Sequence, residues 1–138
     1  MRELARSAAI GALSGSRSML APAIVGQSIL PSPARTLLTL MSAGEIVADK
    51  TPTIPARTDT LPLTGRLVLG AAAAAGAAKR HRIQAAVMGA AGALAATYAL
   101  FHLRRIATTR LRIPNVVAGM IEDAAALAAG AMLMRVMR

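Results

Sequence analysis

An all-α, polytopic membrane bundle of about five segments is the fold class this sequence predicts, on three observations. Apolar runs alternate along the chain with clusters of Arg and Lys. Lys79, Arg80 and Arg82, then Arg104, Arg105, Arg110 and Arg112, then Arg135 and Arg138 flank such runs, and basic residues at segment ends are what membrane topology requires. Apolar residues make up 55% of the 138, yet there is one Phe, one Tyr and no Trp. A water-soluble core of that size would draw on aromatic rings for much of its burial energy. Ala, Leu, Val, Ile and Met with Gly between them suit close helix contacts in lipid, where packing drives association. Finally, two adjacent acids, Glu122 and Asp123, sit inside an apolar run from Ile113 to Met134. A run of roughly 20 apolar residues crosses a bilayer. An ionisable group at that depth costs ~2.5–3.5 kcal/mol on insertion scales, so it faces a partner or a water-filled cavity.

Length and charge narrow the classes further. A single integral membrane domain over residues 1–138 is expected at this length. The net charge of +10 invites nucleic acid, but the basic residues flank apolar runs and form no stripe with interleaved aromatics, so no nucleic-acid partner is expected. With no cysteine in the chain, disulfides and thiolate metal sites are excluded.

The first segment runs from about Leu4 to Leu30. Its basic start and Ala21-Pro22-Ala23 resemble a secretory signal. Arg17 and the serines at 14, 16 and 18 occupy the place of the apolar h-region, so a first membrane helix is expected instead. Gly11 and Gly15 give it a G-x-x-x-G contact face, and Pro22 is expected to kink or break it. Arg17 then lies near mid-membrane and needs an acidic neighbour. Pro31-Ser32-Pro33 ends the segment.

The second segment, about Arg35 to Asp49, places Glu45 and Asp49 four residues apart on one helical face. Its apolar part is short for a perpendicular crossing. Thr51 to Pro62 reads as a loop on its prolines. The third segment, Leu63 to Ala78, has low bulk and suits a helix enclosed by others. The fourth, Ile83 to Leu103, contains no acid, lysine or arginine and is the clearest span, with Gly89 and Gly92 as small contacts and Tyr98, Phe101 and His102 near its interfacial end. Arg104 to Arg112 reads as a basic connector, and Pro114 with Asn115 opens the fifth helix.

The order of segments also predicts a repeat. Gly11-Ala12-Leu13-Ser14-Gly15 is echoed by Gly92-Ala93-Leu94-Ala95-Ala96, and each is followed some thirty residues later by an acidic helix, Gly44-Glu45 and Glu122-Asp123. Segments one and two then correspond to four and five around segment three, an inverted repeat that places binding groups near the midplane. Glu45, Asp49, Glu122 and Asp123 are brought towards one region, with Arg17 and Lys50 as charge partners.

Taken together, Gly11 to Pro22 with Arg17 inside it, Gly44-Glu45-Ile46-Val47-Ala48-Asp49-Lys50-Thr51-Pro52, Arg66 with Gly70, and Asn115 with Glu122-Asp123 resemble the bacterial membrane family catalogued as domain of unknown function 4126. The resemblance spans almost the whole chain and implies a multi-pass protein of the bacterial inner membrane, with no agreed activity. More loosely, Glu45-x-x-x-Asp49-Lys50-Thr51 is similar to the Glu-x-Gly-Asp-Lys-Thr motif of manganese and calcium exchangers built from inverted repeats, with the spacing one residue different.

No enzyme is expected: His81 and His102 flank no nucleophile, the serines lack a nearby base, and the glycine-rich pieces follow no strand. The four carboxylates support ion handling instead. Paired oxygen donors suit a hard divalent cation as substrate, and a desolvated carboxylate can relay protons. No resident cofactor is expected, the lipid bilayer is the principal partner, and so short a chain is expected to work as a homodimer. The competing expectation is a non-transporting structural protein in which Arg17 neutralises Glu45 or Glu122 as a helix-locking bridge.

Overall fold

The computed structural model describes residues 2–48 and 59–137. These fold into six α-helices without a strand among the described residues: α1 Arg2–Ser16, α2 Leu20–Ile29, α3 Ser32–Ala48, α4 Thr60–Ala77, α5 Arg82–Thr109 and α6 Asn115–Met137. The expected first segment is thus two helices. Its break falls at Arg17-Ser18-Met19, earlier than Pro22, because Pro22 sits in the first turn of α2, where a missing N–H leaves no intrahelical bond unmade. Ahead of Pro31, Leu30 is extended at φ −108°, ψ 156°, as the ring of a following proline demands. The Arg35 Nε–H donates to the Leu30 carbonyl at 2.5 Å and closes that turn.

The expected basic connector is corrected at its start. Arg104 and Arg105 belong to α5, which runs on to Thr109. Arginine is a good helix former, and the Thr108 and Thr109 hydroxyls donate back to the carbonyls of Arg104 and Arg105 at 3.0 and 2.7 Å. The helix ends only as Pro114 approaches. The connections on either side of α5 each hold one residue with a left-handed backbone, His81 at φ 51° and Arg112 at φ 53°, an unusual conformation for a side chain with a Cβ.

Glycine decides which helices touch most closely. A Cβ added to Gly11 would lie 1.8 Å from the Gly89 carbonyl oxygen, and one added to Gly92 would lie 2.1 Å from that of Ala8. Hence α1 and α5 meet backbone to backbone. Gly15 reaches the same partner helix at Ala93, and Gly89 is also pressed by Gly70 of α4. Around this α1–α4–α5 unit the core gathers Ile10, Leu13, Leu20, Ile24, Val25, Ala73, Ala74 and Ala126. By contrast α3 leans chiefly on α2, and α6 rests more lightly on α1, α2 and α5.

Among the described residues two helices, α5 and α6, are long and apolar enough to cross a membrane. At about 1.5 Å per residue, the 28 residues of α5 reach about 42 Å, more than the roughly 30 Å hydrocarbon core. The core helix of a soluble protein would be mostly buried, whereas 17% of the most apolar stretch of α5 and 28% of that of α6 are buried. Leu61 of α4 and Ile83 of α5, each 83% exposed, and Val136 of α6 at 73% are further exposed apolar side chains. The expected likeness of segments one and four does not extend to the backbone, since α5 is continuous where the first segment breaks.

Candidate functional site

The break between α1 and α2 is the polar centre of the molecule. Helical bonding persists up to Arg17, whose N–H reaches the Leu13 carbonyl at 2.9 Å, and resumes where the Ala23 N–H reaches Met19 at 3.0 Å. Between them the backbone turns with Leu20 N–H on the Arg17 carbonyl at 3.1 Å. The groups this turn leaves over are taken up by side chains. The N–H groups of Ser18 and Met19 each donate to one oxygen of the Glu45 carboxylate, both at 2.8 Å, and the Ser18 hydroxyl donates to Oε1 at 2.5 Å. Glu45 of α3 therefore caps α2 as a bound anion would, at the positive end of the helix dipole.

The carbonyls on the other side of the break are also satisfied. Pro22 has no N–H for the Ser18 carbonyl, and the Ser14 hydroxyl lies 3.2 Å from that oxygen and 3.0 Å from the carbonyl of Arg66, its one proton shared between them. Thr97 of α5 approaches the Gly15 carbonyl at 3.2 Å while also donating to its own Ala93 at 2.8 Å. This accounting matters because a backbone group left bare in an apolar interior costs as much as a lost hydrogen bond.

Arg17, on the break itself, is 3% exposed. Its Nε donates to Asp123 Oδ1 at 2.9 Å and a terminal guanidinium nitrogen donates to the same oxygen. Asp123, one of the four acids expected near Arg17, thus ties α6 to the break, while Glu45 turns to the backbone of Ser18 and Met19. Glu122 sits 3.6 Å from Arg104 Nη1 of α5. Arg104 is bonded more closely to Asn115, at 2.9 Å to its side-chain oxygen and 3.3 Å to its carbonyl.

Of the expected constellation, Glu45 and Asp123 therefore meet at consecutive residues of one break, and Glu122 stands beside it on α6 with Arg104. Asp49 and Lys50 lie outside the described residues. Gly11, Gly15, Gly89 and Gly92 all fall at the α1–α5 contact. As to a metal, no group of three or more His, Asp or Glu gathers to hold one among the described residues, and the oxygens of Glu45 already accept three hydrogen bonds. Sequence reasoning passes over Ser18 as a cap ligand, Thr97 and Arg104. One available signal is Pro22 itself, because the carbonyl four residues before any buried proline needs another donor.

A groove of about 630 Å³ runs between α1, α5 and α6, walled largely by alanine and with Glu122 in its lining. No protein-family model matches the chain, and no curated protein or solved structure matches it.

Proposed function

We propose that the chain is a multi-pass protein of the bacterial inner membrane that moves a cation or protons, with the broken first segment as its working part. The observation that carries this reading is the interrupted helix at Arg17–Met19, whose freed backbone groups and buried charge are met by side chains of α3, α5 and α6. Non-helical backbone at membrane depth is tolerated where protein satisfies it, and discontinuous helices near the midplane are where secondary transporters build their ion sites. The exposed apolar faces of α5 and α6 support placing the bundle in lipid. In this reading Glu45, Asp49, Glu122 and Asp123 bind the ion and Arg17 holds them in register. A homodimer completes a pathway that one short chain encloses poorly. Kinship with the membrane family named above belongs to the same proposal.

A second reading has its own support. Because Glu45 and Asp123 are already engaged by donors, the same residues suit a scaffold whose charges fasten helices and transport nothing. Reconstitution of wild type and Glu122→Gln separates the two. Vesicle flux of protons, Mg²⁺, Ca²⁺ and Mn²⁺ is measured beside the unfolding of each protein in detergent. Flux in wild type that vanishes in a normally folded variant bears out transport. Wild type without flux for any of these ions, with a variant that unfolds or dissociates, leaves the scaffold.

A further inference from the structure

A second groove, of about 530 Å³, lies between α2, α3 and α6, within the roughly 300–1,000 Å³ of small-molecule sites. On α3 it is faced by Arg35, Thr39, Ser42 and Ile46, spaced four, three and four apart as one helical face requires. Leu20, Ile24 and Gln27 face it from α2 at the same kind of spacing. Two contacts fix α2 and α3 antiparallel. Gln27 donates to Thr39 at 3.1 Å near the Leu30–Pro31 turn, and Ser18 and Met19 hold Glu45 at the other end. Gln27, Arg35 and Thr39 therefore gather at the turn, and Leu20 and Ile46 lie towards the helix break. The slot is polar at one end and apolar along the rest.

Arg35 is the one ionisable group in the lining. Its Nε donates to the Leu30 carbonyl at 2.5 Å, which orients the guanidinium and supplies no countercharge. No carboxylate pairs with it among the described residues. Deeper in, Ser42 is 6% exposed, and its hydroxyl has no partner among the described residues, which is uncommon for a buried polar group. Leu20 and Ile24 are buried beneath the slot while Ala43 and Leu127 at its rim are exposed, so it opens sideways.

Chemistry eliminates most occupants. A divalent cation wants oxygen ligands with negative charge and meets a guanidinium instead. An organic cation is repelled by the same group. A small free anion would answer Arg35 and leave the apolar walls uncovered. A zwitterionic lipid brings an ammonium for which the lining holds no acid. An acidic glycerophospholipid matches every feature. Its phosphate pairs with the guanidinium, its chain covers the walls, and an ester carbonyl below the phosphate accepts from Ser42. Basic pockets between membrane helices hold such headgroups.

We infer that the α2–α3–α6 groove binds one acidic glycerophospholipid, its phosphate on Arg35 and its acyl chain along Ile24, Ile46 and Leu127. The inference rests on the bilayer part of the reading above and is independent of ion flux. Native mass spectrometry of the full chain in neutral detergent tests it, with dioleoylphosphatidylglycerol and dioleoylphosphatidylcholine as probes and glycerol 1-phosphate as the headgroup without chains. Wild type is expected to bind phosphatidylglycerol about tenfold more tightly than phosphatidylcholine, and glycerol 1-phosphate far more weakly than either. Arg35→Gln is expected to lose about fivefold in phosphatidylglycerol affinity, the worth of one basic residue near a lipid headgroup. Arg135→Gln, at an exposed arginine of α6 outside the lining, is expected to leave it unchanged. Ala43→Phe, which narrows the slot from its exposed rim, is expected to weaken both lipids while the unfolding transition stays where it is in wild type.

Equal affinity for the two lipids would make the slot a place for any acyl chain and overturn the proposal. So would an equal loss in Arg135→Gln, which would show attraction by basic surface alone, or glycerol 1-phosphate binding as tightly as the whole lipid. A wild type that binds no phospholipid, while Ala43→Cys cross-links to a second copy, assigns the slot to that copy. A chain released from membranes by salt without detergent ends the bilayer reading and the site together. One that needs detergent yet shows no lipid preference ends the site alone.

Discussion

α1 holds α5 and α6 by opposite means. Against α5 it brings glycine to glycine, so that a Cβ at Gly11 would fall inside the Gly89 carbonyl. Against α6 it leaves an alanine-walled groove, and the tie is Arg17 to Asp123. The first contact gains from dispersion summed over closely matched backbones, which falls off steeply when a gap opens. The second depends on two buried charges staying together. Close packing tolerates little displacement, whereas a tether of ion pairs can pivot. Rigidity therefore belongs to α1, α4 and α5, and the Arg17–Asp123 pair lies where the bundle is less tightly filled.

The most severe way to break the comparison is on the glycine side. Gly11→Leu places a side chain where backbone already stands, and a loss above ~4 kcal/mol is expected, in the class of gross overpacking. The unfolding transition in detergent, followed by circular dichroism, measures it. An unchanged transition would mean that α1 and α5 are not packed backbone to backbone.

Next comes the buried ion pair. Asp123→Ala leaves Arg17 buried without this partner and is expected to cost ~3–5 kcal/mol. The double change Arg17→Met, Asp123→Leu should cost less than either single change, because replacing a buried pair with apolar residues can be near neutral. A double-mutant cycle on unfolding free energies reads this directly, and simple additivity would refute the pairing.

A smaller effect is expected at the cap. Glu45→Ala removes an acceptor shared by two backbone N–H groups and a hydroxyl, worth about 1.5–3 kcal/mol for charge-assisted bonds. Amide exchange at Ser18 and Met19 should speed up while that of the α1–α5 contact stays slow. Equal acceleration of both would show that the break is not a separate unit. Least costly is Arg104→Ala, expected at about 0–1 kcal/mol because its side chain is partly exposed and its reach to Glu122 is long. Its signature is positional: spin labels at single introduced cysteines on α1 and α6 should report a broader distance distribution, and the same pair on α1 and α5 no change.

Much of the fold could be read from the residues. The helical class follows from apolar runs closed by Arg and Lys. The four contact glycines were recognisable by spacing, since in an apolar helix Gly repeated at three- or four-residue intervals has few uses besides close approach. Arg17 stood out as a charge in an apolar stretch, and its need for an acid follows from desolvation alone. The end of α5 was less legible, because arginine signals a segment boundary and forms helix equally well.

What the sequence determined by itself, then, is the kind of matter: helices, their approximate limits, and the certainty that Arg17, Glu45 and the Glu122–Asp123 pair would each need an answering group. Only the tertiary structure decided the answers. Asp123 meets Arg17, and Glu45 meets the backbone of Ser18 and Met19, an anion-to-amide contact that no pairing of side-chain charges would suggest. The physical reason is that a broken helix creates donors and acceptors that belong to the chain path and to no residue type. Their partners come from α3, α5 and α6, whose distances from the break are set by glycine contacts and grooves across the whole bundle.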